Sequence, residues 1–487
     1  MYYVYMGGTK YKIVTKFYRD CRGVTFSNPK GQVSFGSNGN QTCGTHSLSA
    51  IRRSIRDVSW ICKDSTKPCN PQNMSAVGEG VEEHIYETII DISQAPFKSN
   101  LGKQSCSEAF FTFSQCCRNA AITTGPAGDN FVVGCTINFG NISKTKKGTN
   151  NSPIFSNIPI IYACCNNPLY IAPGVLDTAD KDSIAYHLVH GMTSVANASV
   201  SYRAPFTFKN PLTPFCIPQS TITCKHNTRT DPPRGFFFDS TTGDIVLTPT
   251  KCDEVGIVVI EAREYRKDTS GNMLLMGTTR RDMQLIVKSD CGLNRAPELK
   301  GGNNFKVCEG KKLCFTINVT DYTLGNQKPD TVTLTWNTDA IEAQVSAVDS
   351  NAREKEIKFC WTPPIGSSKH TPYLFSLTAT DNHCPTPMVQ SRTYKIFVQE
   401  CDPVSVQSVN RFLSFSLYPN PANHSVKINH DFDWLSIVDV TGRVVYSQKE
   451  YSKNTEINTL NWTNGVYQVV GVYNEINGFN VLMVNRE

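Results

Sequence analysis

Leu313-Cys314-Phe315-Thr316-Ile317-Asn318-Val319-Thr320 alternates larger apolar residues with Cys, Thr and Asn, without a break. A strand turns successive side chains to opposite faces, so Leu313, Phe315, Ile317 and Val319 share one face. Cys314, Thr316, Asn318 and Thr320 share the other. The spacing predicts a strand with one face in a core and one toward solvent or a covering loop. The same period returns at Phe131, Val133, Cys135, Ile137 and Phe139, set against Asn130, Val132, Gly134, Thr136 and Asn138. Helical periodicity is scarce. Its nearest approach is residues 48–60, where Leu48, Ile51, Ile55 and Val58 recur at helix-like spacing between cysteine loops. The 32 Gly and 26 Pro are spread along the whole chain, as short strands joined by many turns require. The fold class expected is all-β.

Outward from that strand, four segments emerge. Residues 1–147 open on the strand face Tyr11, Ile13, Phe17 and end near the Lys144–Gly148 loop. Residues 148–291 begin at Asn151-Ser152-Pro153, and residues 292–402 begin at Asn294-Arg295-Ala296-Pro297. A polar joint, Asp402–Asn410, leads to residues 411–487. The second and third segments read as copies of one plan. Each has an early Pro (Pro153, Pro297), then a cysteine (Cys164 or Cys165, Cys308) and an Asp-bearing turn. A Thr-Pro pair follows (Thr248-Pro249, Thr362-Pro363), and two alternating strands close each copy. Seven or so short strands in about 110 residues is the immunoglobulin- or cadherin-like sandwich pattern.

At 487 residues the chain is too long for one core. Its net charge of +6 is small for that length. The densest basic knots, Arg52, Arg53, Arg56 and then Lys144, Lys146, Lys147, read as solvated loops, so no nucleic-acid partner is expected. Nineteen scattered cysteines without a C-x-x-C pair read as disulfides, which persist outside the cytoplasm. The odd count leaves at least one thiol free or paired outside the chain. No stretch approaches the length of a transmembrane helix, and Tyr2-Tyr3-Val4-Tyr5 is not a signal peptide. A disulfide-rich chain with such a beginning is expected to be truncated ahead of Met1.

The last segment carries Leu417-Tyr418-Pro419-Asn420-Pro421-Ala422, then Val438-Asp439-Val440-Thr441-Gly442-Arg443-Val444-Val445, then Asn464-Gly465-Val466-Tyr467. In order and spacing these resemble the type A C-terminal sorting domain of proteins exported by the type IX secretion system of Bacteroidota. The resemblance implies a sorting signal at Pro419, Asn420, Pro421, Asp439, Gly442, Gly465 and Tyr467. It also implies a small β-sandwich, secretion translocon and shuttle proteins as partners, and residence at the outer cell surface or outside the cell. Farther forward, Tyr11-Lys12-Ile13-Val14, Phe17-Tyr18-Arg19-Asp20-Cys21-Arg22-Gly23, Cys116-Cys117-Arg118-Asn119 and Glu264-Tyr265-Arg266 resemble large gliding-motility-associated and adhesin-like surface proteins of that phylum. That family implies no catalytic residues. Apart from any family, Pro419 and Pro421 lack the N–H that strand pairing needs, and Gly442 sits where a tight turn must join two strands.

Chemistry-bearing motifs are few. No P-loop, G-x-S-x-G elbow or H-E-x-x-H helix is present. His187 and His190 lie in or beside a strand and point to opposite faces, which argues against a shared metal. The acidic turn Asp177, Asp180, Asp182 is the best ligand candidate, with calcium the fitting ion and plain turn-forming Asp the alternative. The third segment keeps only Asp321 and Asp330. Cys314 and Cys360 both alternate outward and would be cross-linked if their strands are adjacent, while Cys384 and Cys401 end two strands and would staple the tail. Cys308 competes for the same partners. Asp-Ser/Thr triplets at Asp64, Asp177, Asp182, Asp239 and Asp330 resemble O-glycosylation sites of exported Bacteroidota proteins. The function expected is a non-enzymatic surface protein, adhesin-like or structural, with a glycan or protein ligand. The rivals are an exported hydrolase and a carbohydrate-binding protein, against which Trp336 and Trp361 read as core residues rather than sugar platforms.

Overall fold

The computed structural model describes residues 1–21, 23, 30–37, 40–59, 69, 80–101, 106–125, 127–159, 162–177, 180, 182–194, 198–219, 221–289, 291–322, 330–338, 342–349, 353–369, 371–384, 386–401, 413–474 and 476–486. The joint expected at 402–410 lies outside them, as do Lys181, Asp64 and most of the turn between Asp321 and Asp330. The chain is all-β, with helices limited among the described residues to the short pieces Phe97–Leu101 and Phe139–Ile142. It divides into two units, Met1–Glu400 and Cys401–Glu487.

The strand Leu313–Thr320 lies between Glu298–Lys300 and Glu354–Trp361 in a four-stranded sheet. Its even-numbered face is largely exposed, whereas Ile317 and Val319 are buried. A second sheet, Asn304–Cys308, Val389–Gln399, Tyr373–Thr380 and Thr333–Thr338, closes over them. Phe359, Phe375, Leu377, Tyr394 and Ile396 complete the core between the sheets. Full burial of an aliphatic or aromatic side chain is worth about 1.5–3 kcal/mol, so this facing set supplies most of the drive for closure. Trp361 sits in that core, 3% exposed, but Trp336 does not. It lies on the edge strand Thr333–Thr338 and is 40% exposed, because no further strand covers that edge.

The second segment repeats the plan in one particular. Its strand Tyr162–Cys164 runs parallel to Met273–Lys288 (Tyr162 opposite Ile286), as Asn304–Cys308 runs parallel to Val389–Gln399 (Asn304 opposite Lys395). A first strand parallel to the last, with antiparallel pairing elsewhere, is what immunoglobulin-like sandwiches share. Between its sheets lie Leu169, Ile171, Tyr186, Ile245, Leu247, Val258, Ile260 and Leu285.

The first segment places Tyr2–Gly7 and Lys10–Asp20, with Val81–Asp91 and Ile51–Asp57, over the sheet of Lys30–Ser37, Glu108–Gln115 and Phe131–Asn138. The first of these strands starts at Tyr2, directly after Met1. Tyr3, Tyr11, Ile13, Phe17 and Tyr86 meet Val33, Phe35, Phe111, Phe113 and Ile137 across the gap. Both faces of Phe131–Asn138 are covered, since Val132 packs with Phe110 of the neighbouring strand Glu108–Gln115 and with Met192 of a loop laid over it. The sheet does not stop at residue 147. Phe131–Asn138 pairs antiparallel with Met273–Lys288 (Ile137 opposite Gly277, Thr136 opposite Thr278), so one sheet crosses the boundary expected between the first and second segments. A side chain at Gly277 would collide with the Tyr3 hydroxyl and the Thr136 carbonyl.

Within 48–60, where the spacing comes nearest to helical, Ile51–Asp57 is a strand. Ile51–Asp57 pairs with Val81–Asp91 at the sheet edge, and Ile51 and Ile55 are 58% and 47% exposed. β-branched residues favour the extended form, and the available edge supplies the hydrogen bonds that a short isolated helix would lack.

Disulfides join Cys21 to Cys69, Cys43 to Cys106, Cys116 to Cys117, Cys164 to Cys291, Cys165 to Cys252 and Cys216 to Cys224. Cys314 and Cys360 face each other across paired strands and are bonded, with Cα atoms 4.2 Å apart. A cross-link of this kind stabilises by about 2–4 kcal/mol, largely by restricting the unfolded chain. Cys308, Cys384 and Cys401 are oxidised as well. Among the described residues Cys135 is the free thiol, buried in the first core, where desolvation pushes it up to about 12.

Candidate functional site

The C-terminal unit is a small sandwich. Leu417–Tyr418, Ser425–Ile428 and Glu456–Asn458 form one sheet, and Val444–Tyr451, Phe432–Val438, Gly465–Tyr473 and Ile476–Val484 form the other. Val426, Ile428, Leu435, Ile437, Val469 and Leu482 fill the space between. The residues expected to carry the signal divide into three places. Pro419, Asn420 and Pro421 are exposed beside the edge strand Ile476–Val484. With no N–H on either proline, the Asn420 side chain makes the pairing, donating to the Val481 carbonyl (2.7 Å) and accepting from the Met483 N–H (2.8 Å). Ala422, fully buried, then continues alongside Val484.

Asp439 and Gly442 build a turn. The Asp439 carboxylate accepts from the Thr441 N–H (2.9 Å) and hydroxyl (2.6 Å) and from the Arg443 N–H (3.1 Å), while Gly442 takes φ +87°. The Thr441 hydroxyl bond is the main cause holding the Asp439 carboxyl down at about 2. Gly465 starts the strand that carries Tyr467, which is 3% exposed, packs on Trp462 and donates to the Thr463 carbonyl at 2.8 Å. Tyr467 is therefore a core residue. Apolar side chains are also exposed on the outer face of its four-stranded sheet. Val466, Phe479, Val481 and Met483 are each 45–51% exposed there, with Val466 opposite Met483.

In the first unit the acidic turn is drawn inward. Asp177 accepts the N–H groups of Asp180 (3.3 Å) and Asp182 (2.6 Å). Asp180 pairs with Lys147, and Asp182 takes a two-pronged bond from Arg266, 2.6 Å on each side. Sequence spacing missed Glu264, which the strand Val255–Lys267 delivers to the same place. One carboxylate oxygen from each of Asp177, Asp182 and Glu264 lies within 4.8 Å of the other two, and all three residues are buried. Desolvation raises Asp177 to about 6 and pushes Glu264 up strongly. His187 and His190 are not brought together: His187 stays in its strand and His190 packs at a tilt against Phe208, 4.3 Å between ring centres. The basic knot is answered by acids of the neighbouring strand, Arg53 by Glu87 (3.0 Å) and Arg56 by Glu83 (2.5 Å).

In the third segment Asp321 and Asp330 are joined by a residue the sequence did not single out, Asp381. Burial first, and the nearby Asp381 second, raise Asp321 to about 7; burial raises Asp381 to about 6. Asn294 donates to Asp381 at 2.9 Å, His383 contacts Asp330 at 2.9 Å, and Arg353 bears on Asp321. An unfolded Asp titrates near 4, so between about pH 4 and 7 the folded chain holds more protons than the unfolded one. The stability these two acids contribute is complete below pH 4 and is lost as pH rises through their folded values. We expect the melting temperature to fall by a few degrees from pH 5 to 7.5, with Asp321→Asn flattening the slope. An unchanged slope in that variant, followed by circular dichroism, would refute the assignment.

Among the described residues no helix is long and apolar enough to cross a membrane. No curated protein sequence matches the chain. Solved structures with some likeness include Dpr2 Ig1-Ig2 in complex with DIP-Theta Ig1-Ig3 (10% identity, covering 51% of this chain and 99% of that one, TM-score 0.19). Others are mouse clustered PcdhgC3 EC1-3 (11%, 52% and 85%, TM-score 0.17) and the endo-fucoidan hydrolase MfFcnA4 of glycoside hydrolase family 107 (10%, 72% and 39%, TM-score 0.15). Likeness at this level says nothing of what this chain does. Residues 416–476 match the family described as Secretion system C-terminal sorting domain, and this part of the chain is a sorting domain for export to the cell surface or beyond it.

Proposed function

We propose that the chain is a non-enzymatic protein of the bacterial cell surface, adhesin-like or structural, exported through type IX secretion in a member of the Bacteroidota. The observation that carries this reading is a sorting domain placed after oxidised sandwich modules. Disulfides suit an extracellular setting, and sandwich modules carry their variable loops at the ends of the sheets, where a ligand can reach them. Attachment during gliding is one use of such a molecule. A second reading, carbohydrate binding, draws on Trp336, whose exposed indole on an edge strand offers a stacking platform.

The purified chain is expected to bind a surface glycan or protein on an array and to leave polysaccharide and peptide libraries intact. Turnover of either library would overturn the non-enzymatic reading. Glycan binding lost in Trp336→Ala, with the fold unchanged, would favour the second reading over the first.

A further inference from the structure

The cluster of Asp177, Asp182 and Glu264 gathers more carboxyl groups than its neighbours answer with cations, and burial holds Glu264 toward its neutral form. Four carboxyl groups, with Asp180, face two cations among the described residues, Lys147 and Arg266. Arg266 is fully committed: it forks onto Asp182, reaches Asp180 at 3.2 Å, and donates to the Thr149 carbonyl at 2.7 Å and to the Asn150 side chain. Glu264 is 0% exposed. Its Oε2 accepts from Asn150 Nδ2 at 2.6 Å and from the Tyr3 hydroxyl at 3.5 Å, while its Oε1 is buried and receives no N–H or hydroxyl donor; the group that Glu264 meets besides these is the Asp182 carboxylate, with which it can share a proton. A buried carboxyl oxygen that no donor reaches is costly once ionised, so its place beside two other carboxyl groups calls for a proton or a cation.

We propose that Asp177, Asp182 and Glu264 bind one calcium ion. Three carboxyl oxygens within 4.8 Å of one another are spaced to surround a cation at oxygen-ligand distance, and a divalent ion would take the place of the proton that Glu264 otherwise keeps. Calcium accepts an irregular shell of six to eight oxygens; magnesium demands a near-regular octahedron, which carboxylates already fixed by Arg266 and by backbone N–H groups do not offer. The ion ties the loop before Ser183–Leu188 to the strand Val255–Lys267 and, through Asn150 and Tyr3, to the first strand of the chain.

The test is equilibrium dialysis of the full chain at pH 7.5 after treatment with EDTA, together with melting curves. Calcium should bind at this site and raise the melting temperature by about 5 °C, with magnesium giving much less. Glu264→Gln and Asp177→Asn should each lose that bound ion. No calcium bound by the unaltered chain overturns the proposal whatever the variants do. So does calcium bound equally by both variants, an equal response to magnesium, or a chain indifferent to calcium that gains stability only as the pH is lowered.

Discussion

A chain ending at Cys401, which keeps that oxidised cysteine, is expected to remain in the periplasm of a type IX-competent bacterium, while the intact chain reaches the surface. The sorting domain is a unit with its own core, so removing it leaves the first unit's sheets complete. A finer version separates recognition from folding. Val466, Phe479, Val481 and Met483 point outward, whereas Tyr467, Val469 and Leu482 on the same strands point inward. Replacing Phe479 and Val481 by Lys should leave the sandwich folded and cut the surface fraction at least tenfold, because an apolar strip of this kind is what a partner would cover. Protease accessibility on whole cells gives the readout. Surface display at the normal level by the truncated chain would refute the sorting role; normal display by the double variant would refute only the strip.

The largest stability effect is expected at Asp282. Its carboxylate receives a two-pronged bond from Arg118, 3.0 and 2.6 Å, with both side chains under 5% exposed. Arg118 also lies over the Phe131 ring and donates to the Met192 carbonyl at 3.2 Å. Asp282→Ala strands a guanidinium in the interior, at a cost of about 3–5 kcal/mol. Removing both charges, Arg118→Met with Asp282→Leu, should cost less than the single change, since nothing charged is then left buried. Urea unfolding measures both. A loss under about 1 kcal/mol for Asp282→Ala would show that the pair is solvated after all.

Local alternation made the strands legible, and the outward register of Cys314 and Cys360 made their bond so, because both depend on neighbours in sequence. The sorting motifs were legible for the same reason. Glu264 was not: nothing in its surroundings along the chain connects it with Asp177 and Asp182, and only the pairing of Ser183–Leu188 with Val255–Lys267 brings them together. Asp381 escaped notice beside Asp321 on similar grounds. Within residues 48–60 the helix-like spacing decides nothing, because it counts apolar positions without knowing that a sheet edge is on offer to Ile51–Asp57. Trp336 misled because a large aromatic in a strand is usually covered, and here the sheet ends with it.

The strand Met273–Lys288 serves two sandwiches at once, closing the second and, through Met276 and its pairing with Phe131–Asn138, lining the first. Neither module can therefore be exchanged, duplicated or lost as a cassette without tearing a neighbour open. Pulled from its ends, the pair is expected to yield as a single mechanical element, rather than one module after the other.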